Sequence, residues 1–171
     1  MTRTAEAVHQ VPLGLALSWE PVEQELGTAL PADYKEFCAC FGAGEFSNYL
    51  TVYSVGGTGE SQLLSRTSAI WRTLEQLPVT ANVYQPYGFY RPGASGLLSW
   101  GTSVTAAEFF WLVSPGVTPE RWPVVAREED GEWSTFDVSC AEFVYRLLTD
   151  VSFEDFTIAH LVDLPSYRPD D

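Results

Sequence analysis

Between Leu30 and Phe46 the chain reads Leu-Pro-Ala-Asp-Tyr-Lys-Glu-Phe-Cys-Ala-Cys-Phe-Gly-Ala-Gly-Glu-Phe, and this run constrains the fold more than any other. Tyr34, Phe37, Cys38 and Phe41 fall at i, i+3, i+4 and i+7, so they form one apolar helical stripe about two turns long that must be buried. Asp33 and Glu36 stand near the start, where the helix dipole favours carboxylates, and Gly42 follows the last apolar residue as a stop. The run predicts an amphipathic helix that leads through a glycine turn towards an apolar strand. It contains no catalytic pattern.

A chain of 171 residues fits one domain and buries roughly two thirds of its unfolded surface without covalent staples. Six Trp, eight Tyr and ten Phe supply bulky core residues, so a packed core is expected rather than disorder. No apolar run reaches the roughly 20 residues of a membrane span, and Met1 to Gln10 lacks the pattern of a signal peptide, which predicts a cytoplasmic protein. Cys38, Cys40 and Cys140 are odd in number. An i, i+2 pair on a helix points to different faces, so neither a disulfide framework nor a zinc knuckle is expected. The net charge of −14 is uneven: residues 1–45 carry −5, residues 46–119 none, and residues 120–171 carry −9. Such a field repels nucleic acid and favours a basic protein partner.

Residues 1–17 read as a loose leader. Ser18 is placed to cap a short helix with Trp19, Val22 and Leu26 on one face and Gly27 as its stop. After the helix of residues 32–41, Tyr49 to Val55 reads as a strand. A third helix covers most of residues 60–77, and residues 79–96, rich in Pro and Gly, read as a structured loop. Leu97–Trp100, Glu108–Ser114, Trp122–Glu128 and Glu132–Val138 then form an antiparallel meander, with Asp130-Gly131 predicting a two-residue type I′ hairpin turn. Ser139-x-x-Glu142 opens a helix through Leu148. Ser152-x-x-Asp155 opens a last one carrying Phe153, Phe156 and His160, and residues 165–171 trail as an acidic tail. The fold class expected is α+β, helices packed on a mainly antiparallel, twisted β-sheet, as a single domain over residues 18–164.

The chemistry of this sequence points away from catalysis. Cys38 lies on an apolar stripe, where burial suppresses a thiol, and no serine elbow is present. Two isolated histidines, His9 and His160, make no metal pattern. Gly56-Gly57-Thr58-Gly59 precedes a helix but lacks the lysine of a phosphate loop. No cofactor, no metal, no direct nucleic-acid contact and no membrane contact are expected. Glu128, Glu129, Asp130, Glu132 and Trp133 instead place four carboxylates and an aromatic around a hairpin tip, a candidate contact for a basic partner.

Three stretches together resemble the SUKH superfamily, the group that includes the yeast Smi/Knr cell-wall regulators. They are Trp19-Glu20-x-x-Glu23 through Leu30-Pro31-Ala32-Asp33-Tyr34 to Phe41-Gly42; Leu98-Ser99-Trp100-Gly101 with Phe110-Trp111; and Trp122-Pro123-Val124-Val125 through Glu132-Trp133 to Phe143. Where many relatives follow Trp-Gly with an Asn/Asp-Gly turn, this chain has Thr102 to Ala107. The resemblance implies an α+β fold and a non-enzymatic protein-binding role. Many bacterial members resemble immunity proteins that neutralise a cognate toxin, frequently a nuclease, and the resemblance implies that role here. An adaptor for an endogenous partner is the alternative, and a hydrolase using scattered carboxylates or Cys38 a third.

Overall fold

The computed structural model describes residues 2–129, 131–153 and 156–170. Their helices are α1 (Thr2–Ala7), α2 (Glu20–Leu26), α3 (Ala32–Phe41), α4 (Leu63–Gln76) and α5 (Cys140–Thr149). The strands are β1 (Gly44–Phe46), β2 (Leu50–Val52), β3 (Gly96–Ser103), β4 (Glu108–Val113), β5 (Val124–Arg127), β6 (Ser134–Phe136) and β7 (Tyr167–Pro169). All seven join one antiparallel sheet in the order β6-β5-β4-β3-β2-β1-β7. The fold is α+β, as expected.

Alternation along β4 divides the sheet into two faces. Phe109 and Trp111 point to one side, where Trp100, Phe136, α3 and α5 meet them. Tyr34 packs edge-on to Trp111 at 4.7 Å between ring centroids, and Phe143 lies 5.5 Å from Phe109 and 5.9 Å from Trp100. The α3 stripe buries Tyr34, Phe37, Cys38 and Phe41 completely. The helix ends at Gly42, whose φ of 79° is a conformation that favours glycine and whose N–H bonds the Cys38 carbonyl at 2.7 Å. Tyr34 also donates its hydroxyl to the Tyr53 carbonyl at 2.5 Å, tying α3 to the chain after β2. The start of α5 is capped twice: Ser139 Oγ accepts from the Glu142 N–H, and the Asp33 carboxylate accepts from the Ala141 N–H at 3.1 Å.

On the opposite side, α4 and the 3₁₀ turn Pro78–Tyr84 cover only part of the sheet. Trp71 Nε1 donates to the Tyr90 carbonyl at 2.7 Å and Tyr90 in turn to Leu26 at 2.8 Å, which fixes this segment over β3 and β4. Phe110 meets Tyr84 and Trp133 there, leaving the rest of the face uncovered.

Several sequence expectations need correction. Residues 1–17 are not simply a loose leader. α1 and the turn after it bury Thr4, Ala5 and Val8, and Arg3 stacks on the Tyr145 ring at 4.0 Å while pairing with Glu142. A six-residue helix is marginal alone, so its stability comes from tertiary packing that local periodicity does not reveal. The Leu13 and Leu15 N–H groups then satisfy the open carbonyls of Cys40 and Ala39 in the last turn of α3. Ser18 is not the cap of α2, whose N-cap is Trp19 without a side-chain bond. The strand expected over residues 49–55 shortens to β2, and β1 forms where only a turn was predicted. The hairpin between β5 and β6 pairs Ala126 with Ser134, so its loop is longer than the two-residue turn predicted at Asp130-Gly131; Asp130 lies outside the described residues. Ser152 bonds the Asp150 carboxylate through both its N–H and its hydroxyl, and turns carry the described residues of the expected last helix. Phe153 and Phe156 are buried but His160 is exposed, and Asp155 lies outside the described residues. The tail does not trail: β7 adds a strand to β1, and the Tyr167 hydroxyl donates to the Ala43 and Phe41 carbonyls. A Cβ on Gly44 would clash with that hydroxyl and with the Arg168 carbonyl, so only glycine lets the tail seat here.

Candidate binding groove

The uncovered face carries a single polar row that crosses six strands. Arg168 lies opposite Glu45, Glu45 opposite Thr51, Thr51 opposite Thr102, Thr102 opposite Glu108, and Glu108 opposite Arg127. Directly opposed residues share a face and touch. Two ion pairs mark the ends: Arg168 with Glu45, and Arg127 with Glu108 through Nε at 3.0 Å and a second nitrogen at 2.7 Å. Three adjoining clefts of about 640, 340 and 160 Å³ follow the row. Arg66 and Thr102 belong to the first two and Thr51 to the last two, so the clefts run together as one groove.

α4 supplies Arg66 to the groove wall. Its Nε is buried without a hydrogen-bond acceptor, and among the described residues Arg66 forms no ion pair. Nearby hydroxyls are neutral donors: burial raises the Tyr53 phenol above its ordinary value despite the opposing pull of Arg66, and pushes Tyr84 up to about 12. The glycine turn considered for a phosphate ends here too. Thr58 and Ser61 bond each other across a short 3₁₀ turn, and together they hold the carboxylate of Asp170 from the C-terminal segment.

The predicted contact residues flank this groove unequally. Glu129 is exposed and lines the largest cleft, Glu132 is exposed beyond it, and Glu128 is half-buried with its carbonyl bonded to the Gly131 N–H. Asp130 lies outside the described residues. Trp133 is a wall rather than a projecting contact. Its Nε1 donates to the Gln85 carbonyl at 2.7 Å, Tyr87 and Phe110 pack against its ring, and Arg127 sits 4.3 Å above it. Sequence reading missed Arg66, Glu108, Arg127, Thr51, Thr102 and Asp170.

The nucleophile candidates lie on the other side of the sheet. Cys38 is fully buried, and desolvation pushes its thiol up to about 12; Cys140 is raised for the same reason. Among the described residues no group of His, Cys, Asp or Glu is placed to hold a metal ion. A separate apolar cleft of about 620 Å³ lies between α1, residues 9–14 and α3, with Val11 and Pro12 on its rim. Among the described residues no helix is long and apolar enough to cross a membrane.

The model of the SMI1 / KNR4 family (SUKH-1) matches residues 17–156. Neither a curated protein nor a solved structure matches the chain.

Proposed function

We propose, because the chain belongs to the SMI1 / KNR4 family (SUKH-1), that it is a cytoplasmic, non-enzymatic immunity protein that neutralises a cognate toxin by binding it. The family supports a protein-interaction role of the immunity type. The observation that carries the reading further is the polar row along the uncovered face of the sheet. Six strands spaced about 4.8 Å apart give a groove roughly 24 Å long, enough for an extended segment of about seven residues. That length suits a polypeptide better than a small substrate held in an enclosed pocket. Glu129 lines the groove and Glu132 is exposed just beyond it, and residues 120–171 carry −9, which favours fast association with a basic domain such as a nuclease.

Co-expression with the toxin encoded beside this gene tests the proposal. Growth is expected to be rescued by the native chain. Reversing Glu129 and Glu132 to Lys is expected to slow association about tenfold and to weaken its dependence on salt. Rescue without any change in association rate would remove the acidic rim from the interface, and no rescue would overturn the toxin reading.

A further inference from the structure

We infer that the middle of the groove is a carboxylate receptor: it takes an acidic side chain from an extended segment of the partner, with Arg66 as the cation that pairs with it. The inference deepens the binding role proposed above and rests on the same groove. Three observations converge on it.

The first is the state of Arg66. Of the three arginines along the groove, Arg127 is committed to Glu108 and Arg168 to Glu45. Arg66 alone of these has no ion pair among the described residues, and its Nε is buried without an acceptor. A buried donor on a charged group is costly to leave unmet, and the planar guanidinium is matched by the two oxygens of a carboxylate. The second is the surrounding chemistry: Thr51, Tyr53, Thr58, Ser61 and Thr102 line the same cleft of about 340 Å³ as Arg66. Each brings a hydroxyl able to donate, and Tyr53 keeps its proton because burial raises its phenol. The third is that a carboxylate is already seated in this cleft. Asp170 accepts from the Thr58 hydroxyl at 3.4 Å, from the Thr58 N–H at 3.5 Å and from the Ser61 hydroxyl. It follows directly on β7, beyond residues 17–156 that match the family, and makes no ion pair with Arg66. The C-terminal segment thus places a competing anion beside the receptor without satisfying its cation.

The consequence is a short-range preference opposite in sign to the long-range field. A charge of −14 repels an acidic peptide at a distance, but ordinary salt screens beyond about 8–10 Å, so the contact with Arg66 decides at close range. The partner segment would then carry an acidic residue for Arg66 within an otherwise basic domain.

NMR titration of the full chain with an acetylated hexaglutamate peptide tests this, with a hexalysine peptide titrated alongside. Hexaglutamate is expected to shift the backbone signals of Thr58, Ser61 and Thr102 and the Arg66 Nε–H. Asp170→Asn is expected to tighten the binding about tenfold by removing the competing anion, and Arg66→Gln to abolish it. Arg66→Lys keeps the charge without the fork and is expected to recover only part of the affinity. If Arg66→Gln fails to fold, the Asp170→Asn tightening and the Arg66 Nε–H shift still decide. Hexalysine shifting these signals while hexaglutamate does not would overturn the inference, as would shifts unaffected by either substitution. Toxin rescue without hexaglutamate binding would refute the receptor alone; hexaglutamate binding without rescue would refute the toxin reading alone.

Discussion

The two faces of one sheet are built on opposite rules. The side under α3 and α5 is closed and aromatic: Trp100, Phe109, Trp111, Phe136 and Phe143 interlock with almost no exposure. On the other side, the groove beside α4 presents Glu45, Thr51, Thr102, Glu108 and Arg127 in a row that cross-strand pairing imposes. Burial of apolar rings contributes several kcal/mol per residue, whereas partly exposed ion pairs contribute about 1 kcal/mol or less. The closed face therefore holds the fold together, and the open face is free to vary with its partner.

The largest expected effect lies on the closed face. Phe143 touches Trp100, Phe109, Phe136, Phe153 and Phe156 and is fully buried. Phe143→Ala is expected to cost about 3–5 kcal/mol, read as a fall in the urea midpoint at unchanged slope. A loss below about 1 kcal/mol would break the division of labour between the faces.

The same closed face should also respond to alkali. The Cys38 thiol has an ordinary value of 9.0 and is pushed up to about 12 by burial, and the Cys140 thiol and Tyr34 phenol are raised as well. The unfolded chain releases the Cys38 proton near pH 9 while the folded chain keeps it. Its contribution is thus complete below about 9 and is lost as pH rises towards 12. Urea midpoints should fall steadily above pH 9, with Cys38 accounting for about 2 kcal/mol by roughly pH 10.5. A Cys38→Ala variant should show a flatter profile; an unchanged slope would mean that the thiol is not desolvated.

The closed face was legible in the sequence because its information is local. The stripe of Tyr34, Phe37, Cys38 and Phe41 repeats at helical spacing, and Ser139 marks the start of α5 three residues before the N–H it accepts from. The groove was not legible for the opposite reason. Its row takes one residue from each of six strands, and Glu45 and Arg168, which pair across it, are 123 residues apart. In three-residue strands such as β1 and β2, alternation is too short to show which side an isolated Glu or Thr will take. Glu129, Glu132 and Trp133 stand out in the sequence because they cluster there, yet only Glu129 and Trp133 line the groove, and Trp133 belongs to the wall that Gln85 and Phe110 complete. Tail and leader were misread alike, since β7 and α1 are ordered by distant partners: β1 for one and α5 for the other.

The smallest expected effect sharpens the contrast from the open side. In the turn between β3 and β4, Ala106, on the wall of the groove's largest cleft, sits at a φ of 62°. Ser103 Oγ holds the turn in this shape by accepting from the Thr105 and Ala107 N–H groups at 3.2 and 3.0 Å. A side chain in the left-handed region costs about 1–2 kcal/mol, and glycine removes that cost while adding about 0.5–1 kcal/mol of freedom to the unfolded chain. Ala106→Gly is therefore expected to raise stability by about 0.5 kcal/mol, a small upward shift of the urea midpoint. A gain would mean that the open face stores strain beside its groove, which the closed face can sustain because its own packing is worth many times more. A loss would mean that the Ser103 bonds already compensate for the alanine. The two faces would then differ in chemistry alone.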